Sequence, residues 1–148
     1  MNKSIKLLMV FFSIFTFSLF LNGCSTVMPK FDKVAYEKAV SLKVDSLALM
    51  ENSTESYDTH EEEVKSLTLR LEKAYEYAKG KPNNKLITKQ WSIIKDSKKH
   101  QIGGFLKRWK EKEMLSKIFI NESKKTIADG FDQVIGLESG LIKAKNAE

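Results

Sequence analysis

Apolar residues recur at helical spacing along most of this chain. Val64, Leu67, Leu71, Ala74 and Ala78 fall three and four apart, Ile87, Trp91 and Ile94 repeat the interval, and Ile127, Phe131 and Val134 do so again with Ile120 on their face. Steps of three and four gather side chains on one face of a helix, whereas a half-buried strand needs strict alternation. No stretch alternates long enough to read as a strand, and no long internal repeat is visible. The pattern predicts an all-α fold, a small bundle of four to five helices over residues 31–52, 59–79, 84–96, 103–114 and 117–138.

Local signals sharpen these boundaries. In the first helix Val40, Val44 and Leu47 mark a stripe that Ala35, Ala39, Leu42 and Leu49 broaden, and the polar run from Asn52 to Asp58 ends it. Thr59 and Glu62 have capping-box spacing at the head of the second helix, where Glu61, Glu62 and Glu63 suit the positive end of the helix dipole. Gly80 followed by Pro82 predicts a left-handed cap and a stop. Ser97 to Gly104, ending in a diglycine, is expected to be the most mobile internal connection, and Ser116 to cap the last helix. Gly130 costs that helix about 1 kcal/mol relative to Ala, so it either admits a close neighbour or breaks the helix.

The N-terminal stretch follows a different pattern. Lys3 and Lys6 precede an apolar run from Leu7 to Leu21, relieved by Ser13, Thr16 and Ser18. As a helix that run reaches roughly 22 Å, short of the roughly 30 Å hydrocarbon core, which suits a secretory signal better than a permanent span. It closes on Leu21-Asn22-Gly23-Cys24, which contains the one cysteine of the chain. These four residues resemble the lipobox of bacterial lipoproteins, a resemblance confined to residues 1 to about 25. Leu21 matches the apolar position, Gly23 the small one and Cys24 the acceptor, while Asn22 departs from the usual small residue.

The resemblance implies cleavage between Gly23 and Cys24, a diacylglyceryl group on the Cys24 sulfur and an acylated new amine, with chains of the palmitate type. Two or more such chains hold a protein firmly to a bilayer. Ser25 after the cysteine, rather than Asp, is similar to the outer-membrane sorting choice of enteric bacteria, which implies the periplasmic face of the outer membrane in a Gram-negative host. The organisation is then a signal peptide over 1–23, a lipidated tether over 24–30 and a single helical domain over 31–148. The tether from Ser25 to Lys30 spans at most roughly 20 Å.

Composition narrows the classes further. With Cys24 acylated, no thiol remains for a disulfide, so the domain relies on its hydrophobic core. The net charge of +6 is unevenly distributed: residues 30–79 carry −3 and residues 80–148 carry +7. The asymmetry fits helical faces of opposite sign attracting one another, or anionic headgroups and acidic partners meeting the basic half. Nucleic acid is not expected as a partner of an exported protein.

Candidate chemistry is sparse. His60-Glu61-Glu62-Glu63 begins like a zinc-protease helix, but Val64 stands where the second histidine belongs, and His100 is remote in sequence. No metal, cofactor or catalytic set is expected, and the chain reads as a non-enzyme. Glu138-Ser139-Gly140 resembles the Glu-Ser pair of lytic transglycosylases, yet only ten residues follow, so a helix-ending turn is the better account. The segment containing Phe105, Lys107, Arg108, Trp109 and Lys110 mixes aromatics with cations after Gly103-Gly104. It reads either as a membrane or partner patch or as a helix whose Phe105 and Trp109 fill the core.

The expected function is therefore a lipid-anchored, non-catalytic binding or scaffolding domain of the cell envelope. It holds membrane lipid through acylated Cys24 and a protein partner of unknown identity. In size and class it is similar to pilotins, though they share no quotable motif with it. The alternatives are an envelope hydrolase using Glu138, or a lysis or entry-exclusion lipoprotein of a mobile element.

Overall fold

The computed structural model describes residues 31–142. Every regular element among them is helical: α1 Lys33–Glu51, α2 Glu61–Lys79, α3 Lys85–Lys95, α4 Ile102–Lys112 and α5 Lys117–Glu138, with two 3-10 turns, Asn52–Thr54 and Tyr57–His60, between α1 and α2. The leader, Cys24 and the tether lie outside the described residues.

α1 packs against α2 and α5, and α3 packs against the same two helices, closing a four-membered ring. Cross-links along the helices set their directions. Tyr77 meets Asp32 while Arg70 meets Asp45, and Lys43 meets Asp132 while Lys124 meets Glu51, so α1 is antiparallel to both neighbours. Asn84 reaches Ala78 while Lys95 reaches Glu72, so α3 reverses α2. The result is an up-down-up-down bundle, with α4 lodged in the connection between α3 and α5. One pole holds the start of α1, the α2–α3 turn and the end of α5, and α4 closes the other.

The stripes predicted on α2, α3 and α5 are the buried ones: Val64, Leu67, Leu71, Ala74 and Ala78; Ile87, Trp91 and Ile94; Ile120, Ile127, Phe131 and Val134. At the centre Trp91 meets Phe131 edge-on, ring centroids 6.0 Å apart, an arrangement favoured by the ring quadrupoles. α1 differs from expectation. Its inward face is Ala35, Ala39, Leu42, Ser46 and Leu49, and Val44 is 60% exposed. Apolar residues surround α1 on several sides, so neighbouring helices choose the face. They select a 4-3-4-3 register containing a serine over one containing Val44.

Two local expectations are also corrected. The capping box does not form: Thr59 belongs to a 3-10 turn, where its Oγ1 donates to the Ser56 carbonyl at 2.7 Å, and α2 starts two residues later. Gly80 is not left-handed (φ −74°); the positive φ of this turn falls at Asn83, at 56°. The adjacent Asn84 side chain donates to the Ala78 carbonyl at 2.8 Å and so caps the end of α2 from outside it.

The diglycine is a packing device within the first turn of α4. A Cβ on Gly103 would stand 2.2 Å from the Lys95 carbonyl oxygen, and one on Gly104 1.8 Å from that of Lys99. α5 runs unbroken through Gly130, whose bare Cα admits the Gln101 side chain, and Ser116 caps α5 by accepting from the Phe119 N–H at 3.3 Å.

The uneven charge is partly matched inside the bundle. Lys81, Lys95 and Lys124 of the basic half pair with Asp32, Glu72 and Glu51 of the acidic half. The Lys95–Glu72 and Lys124–Glu51 pairs, open to solvent, contribute at most about 1 kcal/mol each. No helix among the described residues is long and apolar enough to cross a membrane.

Candidate functional site: a buried ion cluster and a divided aromatic-basic helix

Three charges that the sequence keeps far apart meet at one pole. Asp32 caps α1, accepting from the Ala35 N–H at 3.1 Å, and the Tyr77 hydroxyl donates to its other oxygen at 2.8 Å. Lys81, in the α2–α3 turn, places Nζ 3.2 Å from Asp32 Oδ2 and 3.1 Å from Glu138 Oε2. The Glu138 side chain is 1% exposed, and its Oε1 has no hydrogen-bond partner among the described residues.

The groups differ in how they respond to this setting. Burial pushes the Glu138 carboxyl above its ordinary range, and the Lys81 ammonium only partly opposes the shift. Asp32 feels some burial too, but donation from Ala35, Tyr77 and Lys81 outweighs it and lowers the pKa to about 2. Burial works against the Lys81 ammonium as well, yet Glu138 and Asp32 together raise its pKa.

The cluster ties the first turn of α1, the α2–α3 turn and the last turn of α5 into one pole. The gap beside Glu138, lined by Ala35, Tyr77 and Trp91, is too narrow for a water molecule. Among the described residues this carboxylate is enclosed by the bundle rather than set in a groove. The following residues form a helix-ending turn: Ser139 Oγ donates to the Gly136 carbonyl at 3.1 Å, and Gly140 takes φ 74°.

The aromatic-basic segment is split by α4 into two environments. Phe105 and Trp109 are buried in the core, whereas Lys107, Arg108 and Lys110 are exposed. Trp109 meets Tyr57 edge-on at 5.6 Å, and its Nε1–H donates to the carbonyls of Glu55 and Glu113 at 3.0 and 3.1 Å. It thereby pins the α1–α2 connection against the end of α4. Phe105, one turn earlier on the same face, stacks on Phe119, with centroids 5.9 Å apart.

Lys107 and Arg108 flank an open cleft of about 630 Å³ between α4, α5 and the α3–α4 connection, while Lys110 lies 5.5 Å from the centroid of the Tyr57 ring.

Of the two histidines, His100 is exposed at the rim of that cleft. His60 is held between Glu55 and Glu63, with nitrogen–oxygen distances of 2.9 and 3.1 Å, and rests 5.5 Å from the Trp109 ring. The Glu55 carboxylate, helped by Glu63 and opposed by burial, raises the imidazole pKa. No group of three or more His, Cys, Asp and Glu side chains among the described residues is arranged to hold a metal.

Sequence reasoning missed Asp32, Tyr77 and Lys81, because each is an ordinary surface residue type and the partners are 45 to 57 residues apart. No periodicity or motif signals such a meeting. No family model, curated protein or solved structure matches the chain.

Proposed function

We propose that this protein is a bacterial lipoprotein, held to the cell envelope by acyl chains on Cys24, and that its helical bundle is a non-catalytic binding or scaffolding domain. The observation that carries the reading is Leu21-Asn22-Gly23-Cys24 closing a charged-then-apolar leader. A single-cysteine chain with this leader has one residue suited to acylation, and the acyl chains supply the affinity.

The bundle adds a geometric consequence. Asp32 lies eight residues beyond Cys24, a reach of at most roughly 27 Å, so the pole containing Asp32, Lys81 and Glu138 is the one the anchor would hold near the lipid. α4 occupies the opposite pole, directed into the aqueous envelope, where a partner can reach it. The preferred location is the periplasmic face of the outer membrane, following Ser25.

Metabolic labelling with a fatty acid tests the anchor. Label is expected on the wild-type protein and absent from Cys24→Ser, which accumulates as unprocessed precursor. Equal labelling of both proteins would overturn the proposal. The binding role is tested separately by crosslinking in intact envelopes, where the absence of any reproducible protein adduct counts against a scaffold.

A further inference from the structure

The cleft between α4 and α5 combines an apolar floor with a rim of net positive charge. Phe105, Phe119 and Ile127 form the floor. Four cations line it, Lys98, Lys99, Lys107 and Arg108, against the carboxylates of Glu111 and Glu122. Glu111 is engaged by Lys107 at 3.6 Å. Arg108 instead lies over the Phe119 ring, 4.4 Å from its centroid, and neither it nor Lys98 or Lys99 forms an ion pair among the described residues.

The backbone adds to the same field. α4 begins beside this rim with no side-chain cap and no acidic residue in its first turn, and Gly104 of that turn lines the cleft. Its unbalanced dipole reinforces the positive side chains. The guanidinium presents a planar fork suited to an oxyanion with several acceptor oxygens, and it is held in place by the ring beneath it.

We propose that this cleft binds a phosphate ester with an apolar portion: the phosphate lies among Arg108, Lys98, Lys99 and the start of α4, and the apolar portion rests on the exposed part of Phe119. The site goes beyond the lipoprotein reading and stands whether or not Cys24 is acylated. Phe119 is roughly 28 Å along α5 from Glu138, so the cleft lies far from the pole where the chain leads back to Cys24. The same chemistry is offered by a soluble phosphate ester and by a phospholipid headgroup, and the experiment separates them.

Amide resonances of the full chain in neutral detergent micelles are followed during titration with phenyl phosphate or with dihexanoyl phosphatidylglycerol, with dihexanoyl phosphatidylcholine as control. Saturable shifts centred on Gly104, Arg108 and Phe119 are expected, weakened about tenfold or more in Arg108→Gln and further in Lys99→Gln/Arg108→Gln. These side chains are exposed, so the spectra of the variants away from the cleft should match wild type.

Comparable binding of both anionic probes assigns a soluble source, and preference for the phosphatidylglycerol assigns a headgroup. Either result supports the site. Absence of saturable shifts below about 10 mM, shifts that survive both substitutions, or equal response to phosphatidylcholine would overturn it.

Discussion

Lys81 and Glu138 are 57 residues apart in sequence, yet the ammonium nitrogen of one lies 3.1 Å from a carboxylate oxygen of the other. The carboxylate is almost wholly buried, so the contact is the main compensation for its charge. Breaking one side of a buried pair typically costs about 3–5 kcal/mol. Lys81 keeps some solvent contact, which places Lys81→Met near the lower end, about 3 kcal/mol in urea unfolding of residues 25–148. Lys81→Met/Glu138→Leu removes both charges and should recover most of that loss. A double variant no more stable than the single one would show that the two residues are not coupled.

Stability should depend on pH in opposite directions at two sites. The folded pKa of His60 is raised by Glu55 and Glu63 above 6.5, so its contribution is complete below that value and is lost as pH rises through the folded pKa. Thermal melts of wild type and His60→Gln should therefore differ more at about pH 5.5 than at about pH 8.5. Asp32, lowered from 3.8 to about 2, contributes above 3.8 and loses that contribution as pH falls toward 2. Asp32→Asn should accordingly narrow its gap to wild type on acidification.

The glycines should not behave alike when replaced by alanine. New methyl groups at Gly103 and Gly104 would meet backbone carbonyls, which cannot move independently, and each should cost about 1–3 kcal/mol. At Gly130 the methyl meets only the end of the flexible Gln101 side chain. There the gain in helix propensity, about 1 kcal/mol, offsets the displacement, and the melting temperature should change little. A large loss in Gly130→Ala would mean that the Gln101 contact is worth more than its geometry indicates.

The register of α1 is open to a direct test. Ser46 is fully buried, and its hydroxyl has no hydrogen-bond partner among the described residues. Ser46→Ala should stabilise the bundle by about 1 kcal/mol in urea unfolding, because a desolvated hydroxyl is removed with little change of shape. Val44→Asp, on the exposed side, should change stability by less than about 0.5 kcal/mol, whereas Leu42→Asp should unfold the domain. Strong destabilisation by Val44→Asp would return α1 to the stripe its hydropathy suggests.

Helix identity was legible wherever one face carried most of the large apolar residues. α2, α3 and α5 have such faces, and most of their buried residues could be named from spacing alone. α1 has apolar residues on several sides, so no single face dominates its own pattern, and contact with α2 and α5 decided it. The aromatic-basic segment could be read two ways for the same reason. Spacing put Phe105 and Trp109 on a helix, but whether they faced protein or lipid depended on what lay across from them.

The chain itself determined that the described domain is helical and where its five helices begin and end to within about two residues. Those properties arise from neighbours in sequence, through the 3.6-residue turn and local caps such as Ser116. Tertiary structure decided the rest: the α1 register, the use of Gly103 and Gly104 as close-contact points, the Asp32–Lys81–Glu138 cluster and the cationic cleft over Phe119. Each depends on groups from separate helices meeting, and that proximity is set by packing of the whole bundle, which no local pattern encodes.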